Sequence, residues 1–302
     1  MKIVELSGGV GGARMARGFA GLSDVDLTVV VNVGDDADNH GLAVSPDLDT
    51  VVYTLAGMEG PLGWGRAGDT FHTNDELARF GVDNTFRIGD RDLALKLYRT
   101  QCMHEGRSLS EATSDIVESF GIASAITPAT DDLLRTEVRI DRDGWISFQE
   151  YFVKRQAQPE VLELRFAGAI EASPAPGVVE ALAAADVVVI APSNPPLSIW
   201  PILDIPRIRE TVASHPRVIA VSPLIGGKTV KGPADRVMAS LGLPPGNEGV
   251  ATAYEGLIDT IVIDTHDAAD METLAGLNVL VTDTLIKEGT HAERLARELV
   301  AR

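Results

Sequence analysis

Four clusters of residues in this 302-residue chain could do chemistry, and each stands where an apolar run stops. The first is Gly8-Gly9-Val10-Gly11-Gly12, directly after Ile3-Val4-Glu5-Leu6-Ser7. Glycine lets backbone N–H groups crowd around an anion. The N-terminus of a following helix, carrying Arg14, Met15 and Phe19, adds partial positive charge. A phosphate is the natural guest of Gly8, Gly9, Gly11 and Gly12; a tight strand–helix turn with no ligand is the plainer alternative. The spacing is not a dinucleotide fingerprint, because Arg14 stands where the third glycine would fall.

The second cluster, Gly34-Asp35-Asp36-Ala37-Asp38-Asn39-His40-Gly41, comes after the run Leu27–Val33 and holds three carboxylates within four residues. Such carboxylates repel one another until a cation or water neutralises them, which makes Asp35 and Asp36 candidate metal ligands or else part of a solvated acidic turn. Pro46-Asp47-Leu48-Asp49-Thr50 comes next, with Asp47 or Asp49 placed to cap a helix through Leu55. Asp49 is either that cap or a second carboxylate facing the cleft of Asp35. The third cluster is Pro192-Ser193-Asn194-Pro195-Pro196-Leu197-Ser198, after the run Asp186–Ala191. Ser193, Asn194 and Ser198 offer neutral groups of the kind that read a base edge or a phosphate. The fourth, Ser222–Pro233, nearly satisfies a Walker A pattern, with Ser222 in place of the first glycine. A P-loop needs a helix from Lys228-Thr229, and Gly232-Pro233 would break it, so a P-loop NTPase is rejected. Gly226, Gly227, Lys228 and Lys231 remain a loop suited to anionic oxygens.

These clusters need a scaffold. Unbroken apolar runs at Leu27–Val33, Asp186–Ala191 and Arg217–Val221 are those of parallel strands covered on both faces. Ligands in such sheets sit beyond the strands' carboxyl ends, where all four clusters fall. The expected fold is α/β: a Rossmann-like, mostly parallel sheet with helices on both faces and an inserted helical and β-hairpin subdomain. Residues 1–71 and 166–302 form the expected core, and 72–165 the insertion. Within the latter, helices are expected at Asn74–Phe80, Asp90–His104 and Leu109–Phe120. A hairpin is expected around Asp141-Arg142-Asp143-Gly144, its second arm running from Trp145 to Val153. Asp90 reads as the N-cap of its helix, beside Arg87 and Arg91. Later helices are expected at Ala251–Leu257 and His291–Ala301. The glycine-rich stretch Gly57–Phe71 reads as a mobile loop over the strand ends, a candidate lid.

The net charge of −18 argues against a nucleic-acid partner. It also leaves a phosphate site in need of local cations, which a divalent metal held by carboxylates supplies. No apolar run approaches the twenty residues of a membrane span, and the N-terminus lacks a signal-peptide pattern. The single cysteine, Cys102, reads as a packed helix residue in a reducing compartment. The six histidines lack metal-ligand spacing and there is no G-x-S-x-G elbow.

Taken together, Leu6–Ala13, Val31-Asn32-Val33-Gly34-Asp35-Asp36, Pro46–Thr50, Gly89-Asp90-Arg91-Asp92-Leu93-Ala94, Phe148–Val153, Ala191–Pro195 and Ser222–Lys228 resemble the CofD family. These are the 2-phospho-L-lactate transferases of deazaflavin coenzyme (F-420) biosynthesis. The motifs keep the family's order and span nearly the whole chain. The resemblance implies transfer of a phospholactyl-type group from a guanosine diphosphate conjugate to the deazariboflavin Fo, with GMP released. It implies a magnesium-dependent, cytoplasmic homodimer without nucleic-acid or membrane partners. By the family pattern Asp49 and Arg87 contact Fo, with Asp90 in the adjoining motif, while Ser193, Asn194 and the Gly226–Lys231 loop face the nucleotide. Asp49 is the expected acceptor of the hydroxyl proton. Many members continue Asp-Leu-Ala-Thr-His where this chain has Asp92-Leu93-Ala94-Leu95-Lys96. Bacterial relatives use phosphoenolpyruvate or 3-phosphoglycerate conjugates, so the transferred acid stays open. The alternative is a regulatory protein that binds a nucleotide or nucleotide sugar, since a sister family with a similar glycine turn controls cell-wall synthesis.

Overall fold

Val187-Val188-Val189-Ile190, a strand with no polar residue, is fully buried at the middle of the sheet in a computed structural model that describes residues 1–83, 85–141, 144–287 and 289–301. Branched side chains suit a pleated surface packed on both faces, and burying each contributes about 1.5–3 kcal/mol. In chain order the first half comprises β1 (Lys2–Ser7), α1 (Gly9–Ala20), β2 (Asp26–Val31), β3 (Ala37–Asn39), β4 (Leu42–Val44), α2 (Pro46–Leu55), α3 (His72–Arg79), α4 (Asp90–His104), α5 (Leu109–Ser119) and β5 (Ala125–Pro128). Next come β6 (Arg135–Arg139), β7 (Trp145–Ser147), β8 (Glu163–Ala167), α6 (Val178–Ala184), β9 (Val187–Ile190), α7 (Trp200–Leu203) and α8 (Pro206–Ser214). The chain closes with β10 (Val218–Val221), β11 (Leu224–Ile225), β12 (Lys228–Thr229), α9 (Ala234–Ser240), α10 (Gly246–Ala253), β13 (Thr260–Asp264), β14 (Asn278–Thr282) and α11 (Gly289–Val300).

Seven strands form one sheet in the order β14-β13-β10-β9-β1-β2-β5, and every neighbouring pair is parallel. The chain builds outward from β1 to β2 and β5, then returns to β9 and builds the other way. The topological switch therefore lies between β1 and β9, paired Ile3 with Val187 through Leu6 with Ile190. A switch point opens a crevice at the strands' carboxyl ends.

The α/β class agrees with the expectation, but the division at residues 72 and 165 needs correcting. β5, inside the expected insertion, is the edge strand of the main sheet, with Thr28–Val31 of β2 opposite Ala125–Pro128. Only part of the segment stands apart: β6, β7 and β8 form a separate antiparallel sheet. Its small core of Val138, Ile140, Phe148, Tyr151 and Val161 packs on Leu197 and Val237 of the main body. The hairpin of β6 and β7 is present, whereas Arg142 and Asp143 of its turn lie outside the described residues. Its second arm ends at Ser147 rather than Val153, because Phe148, Tyr151 and Phe152 also fit helical spacing and wind into a π-helical turn. There Tyr151 is buried and the Phe148 and Phe152 rings stack at 5.2 Å. α10 starts at Gly246 rather than Ala251, since Asp270 accepts the Asn247 N–H at 3.0 Å and fixes the first turn. The last helix spans Gly289–Val300, two residues ahead of its expected start. Among the described residues no helix is long and apolar enough to cross a membrane.

Candidate active site

The crevice between β1 and β9 brings the first and third clusters together. Ser193 is buried, donates to the Gly8 carbonyl at 2.7 Å and accepts the Gly8 N–H at 3.2 Å. It thus clips the two strand-end turns to each other. Helix α1 begins at Gly9, so Gly11 and Gly12 belong to its first turn rather than to a loop. Both are needed for close approach. A Cβ on Gly11 would overlap the Pro192 carbonyl, and one on Gly12 would overlap the Ser7 hydroxyl. Helix α1 can therefore sit directly on the β1 and β9 ends with its N-terminal dipole facing the crevice. Asn194 caps the turn next to it in the chain, accepting the Leu197 N–H at 3.2 Å, and Ser198 packs against Gly8.

The opposite wall is acidic. The apolar run of β2 stops at Val31, and the side chain of Asn32 turns into the crevice floor, fully buried. Its Nδ2 donates to Asp35 at 3.2 Å and to Asp47 at 3.0 Å, while its Oδ1 accepts the Gly34 N–H at 2.8 Å. Asp47 also accepts the Gly9 N–H at 2.8 Å. Asp36 accepts a hydrogen bond from Ser45 at 2.7 Å, and its Oδ1 is buried without a partner. Burial pushes all three carboxyls up: Asp35 well above its ordinary value with help from the Asp47 charge, Asp36 to about 7 and Asp47 to about 6. The carbonyl of Asp35 accepts from Gln149 at 2.8 Å, which ties the small antiparallel sheet to this wall.

Asp47 thus lies on the wall of the crevice, although its place in the sequence suggests only a helix cap. Helix α2 has no side-chain cap: Ser45 is its N-cap residue, and Asp47 reaches across to α1 instead. Residues i and i+2 on a helix point about 200° apart, so Asp47 and Asp49 cannot share a cleft. Asp49 faces α4, where it pairs with Lys96 at 2.8 Å and with Arg99, all three buried. Burial alone would raise its pKa, but the charges of Arg99 and Lys96 outweigh it and hold Asp49 below the usual carboxylate range. Lys96 also pairs with Asp92, which accepts the Tyr53 hydroxyl at 2.7 Å. Both buried cations are therefore committed on the α4 side. The i, i+3 spacing of Lys96 and Arg99 opposite Asp49 was the available signal.

Arg87 and Asp90 bond within a neighbouring corner. Arg87 pairs with Asp75 at 2.8 Å and stacks on Phe71. Asp90 does not cap its own helix. Its carboxylate accepts the His72 and Thr73 N–H groups and the Thr70 hydroxyl, capping α3, and these hydrogen bonds lower its pKa. Asp69 in turn accepts the Arg91 and Asp92 N–H groups and caps α4, a reciprocal arrangement that only folding reveals.

The fourth cluster is a β-hairpin. Leu224 and Ile225 pair with Thr229 and Lys228, and Gly226 and Gly227, both at positive φ, supply the two-residue turn. Their N–H groups hold the Asp267 carboxylate at 2.9 and 2.7 Å, and Lys228 pairs with Asp235 at 3.3 Å. Beyond the hairpin, the Lys231 ammonium lies 3.9 Å from the Trp64 ring centroid and bonds the Leu62 carbonyl. Arg17 holds the base of the same 57–71 loop through Glu59 at 3.1 Å. The loop thus lies beside the start of α1, where Gly63 meets Val10.

Asp35 and Asp47 present hard oxygen donors without a cationic partner, and Asp36 alongside feels the charges of Arg135 and Arg99. That donor set fits a divalent ion. Among the described residues no three acidic, His or Cys side chains form a complete metal cage. Magnesium commonly needs only one or two carboxylates, the substrate's phosphates and water filling its shell.

A parallel switch-point sheet with a helix N-terminus on one wall and buried carboxylates on the other is the framework of an α/β enzyme. Residues 3–293 match the family model for 2-phospho-L-lactate transferase CofD, and the chain belongs to that family of transferases. It is 44% identical to the 2-phospho-L-lactate transferase of Methanopyrus kandleri over 305 residues, covering 99% of this chain and 97% of that one. It is 41% identical to the phosphoenolpyruvate transferase of Streptomyces griseus over 308 residues, covering 99% and 97%. A UPF0052-family protein from Bacillus halodurans shares the fold, with a TM-score of 0.68, 15% identity and coverage of 99% and 98%.

Proposed function

We propose that this protein transfers a phospholactyl-type group from its guanosine diphosphate conjugate to the deazariboflavin Fo, releasing GMP, in coenzyme F-420 biosynthesis. The observation that carries this reading is full-length similarity to transferases of that type, joined to a crevice whose two walls suit a diphosphate. The oxygen of a ribityl hydroxyl attacks the phosphorus that bears the acid. The bond from that phosphorus to the bridging oxygen breaks, GMP leaves with the electron pair, and the hydroxyl proton passes to solvent. Phosphoryl transfer asks mainly for positioning and charge neutralisation. The α1 N-terminus and the Gly8–Gly12 backbone orient the diphosphate. Ser193, Asn194, Ser198 and the Gly226–Lys228 turn border the nucleotide. Arg87, and the corner that Asp90 holds together, border Fo.

Magnesium held by Asp35 and Asp47, with Asp36 beside them, would offset charge on the leaving oxygen. Asp49, kept ionised between Lys96 and Arg99, is poorly suited to take the hydroxyl proton and better suited to fix α2 against α4. A homodimer working in the cytoplasm belongs to the same reading. The transferred acid is 2-phospholactate, phosphoenolpyruvate or 3-phosphoglycerate, since relatives named for the first two stand at similar identity.

The test is to incubate the purified protein with Fo, magnesium and each of the three guanosine diphosphate conjugates, tracking products by mass. A phosphodiester adduct of Fo with equimolar GMP is expected from at least one conjugate and names the acid. No adduct from any, with guanine nucleotide still bound, would overturn the transferase reading in favour of a regulatory one.

A further inference from the structure

The carboxylates of the crevice differ in how the protein neutralises them. Asp49 has two cations on it, Arg99 and Lys96. Asp35 and Asp47 have none; the side chain they share is the neutral amide of Asn32. One Nδ2 carries two hydrogens, and here each goes to a different carboxylate, one on the loop after β2 and one on the first turn of α2. The amide cannot turn to favour either, because the Gly34 N–H holds its Oδ1 at 2.8 Å. Asn32 itself is fully buried at the end of a fully buried stretch of strand. Its position is therefore as rigid as the sheet, whereas both carboxylates belong to segments that only pack on the sheet.

We propose that Asn32 is the positioning residue that sets the separation of Asp35 and Asp47 and so builds their affinity for a divalent cation. This rests on the magnesium reading above. Two like charges brought together without a cation repel, and a fixed donor shared between them opposes that repulsion while leaving the remaining oxygen of Asp35 for a metal. Asp47 then has both oxygens anchored, one by Asn32 and one by Gly9, so the same amide keeps the carboxylate pair in register with the start of α1. Partners that orient metal-binding carboxylates commonly account for about 10- to 100-fold in metal affinity.

The probe is Mn2+ alone, titrated into the chelator-treated full chain, with free ion read from its EPR signal. Wild type is compared with Asn32→Ala, which removes both donated bonds, and Asn32→Ser, which can return one. The expected order of affinity is wild type, then Ser, then Ala, the last weaker by about 10- to 100-fold. Asn32→Ser carries the comparison where Asn32→Ala fails to fold by circular dichroism. In the transfer assay the deficit of a folded variant should close as magnesium is raised, which a defect of folding would not do. Variants binding Mn2+ within twofold of wild type would overturn the role of Asn32 while leaving the metal reading intact. A wild-type chain that binds no Mn2+ would overturn the metal reading and this inference with it.

Discussion

The Asp47 carboxylate accepts the Gly9 backbone N–H at 2.8 Å, so the first turn of α2 is bonded to the first turn of α1 across the crevice. An internal carboxylate at a helix N-terminus is stabilised by the dipole and satisfies an N–H that the helix cannot. It also places the carboxylate next to the turn that would carry the substrate's diphosphate.

That placement gives the first prediction. Asp47→Asn keeps an oxygen for the Gly9 N–H but removes the charge and the oxygen that accepts from Asn32. Steady-state kinetics should show kcat/KM falling about 10- to 100-fold while the circular-dichroism spectrum stays that of the wild type. Unchanged kinetics would place Asp47 outside the chemistry.

The pairing of Asp49 with Arg99 and Lys96 predicts a stability effect instead. Removing one partner leaves a buried charge uncompensated, so Arg99→Ala should lower unfolding free energy in urea by about 3–5 kcal/mol. Asp49→Asn should also destabilise, yet keep more activity than Asp47→Asn when both are assayed well below their unfolding temperatures. The reverse order would restore Asp49 as the proton acceptor.

The raised carboxyls predict an unusual pH profile for the metal-free protein. Asp36 titrates near 7 and Asp47 near 6 in the folded chain, with Asp35 raised as well, against about 3.9 when unfolded. Between these values the native state binds more protons than the unfolded state, so stability falls as pH rises. Their contribution is complete below about pH 4 and lost as pH climbs through about 6 to 7. Asp49 and Asp264 are lowered, the latter to about 2, and so stay ionised and flat across that window. Melting temperature without metal should therefore drop from about pH 5.5 to about 7.5, and millimolar magnesium should reverse most of the drop. A profile that is flat or rising without metal would contradict the shared burial of these groups.

Close approach predicts the cost of a methyl group. Gly11→Ala drives a Cβ into the Pro192 carbonyl, and relieving that overlap must lift α1 off the β9 end. Thermal denaturation should show a loss of about 1–3 kcal/mol, and nucleotide affinity should fall with it. Stability equal to wild type would mean that α1 has room to move.

Much of this was legible in the sequence. The apolar runs ending at Val33, Ala191 and Val221 read as parallel strands covered on both faces, and the turn after each strand end had to lie at the crevice. Hydrophobic periodicity is local, so α4 and most strands could be read from it, while the resemblance to the family rested on the ordered motifs. Which side chains meet was not local. Asp47 and Asp49 look interchangeable in Pro46-Asp47-Leu48-Asp49-Thr50, and only the packing of α2 between α1 and α4 sends one to Gly9 and the other to Arg99. Asp90 looks like the cap of its own helix, yet in the α3–α4 corner it caps α3 and Asp69 caps α4. The Gly226-Gly227 pair looked like an open anion loop, and the fold fills it with Asp267 from a distant segment. Charge compensation is decided by distances of a few ångströms across elements remote in sequence. The sequence therefore determined the sheet, the family and the position of the crevice, while the tertiary structure alone decided which carboxylates in it are paired with cations and which are not.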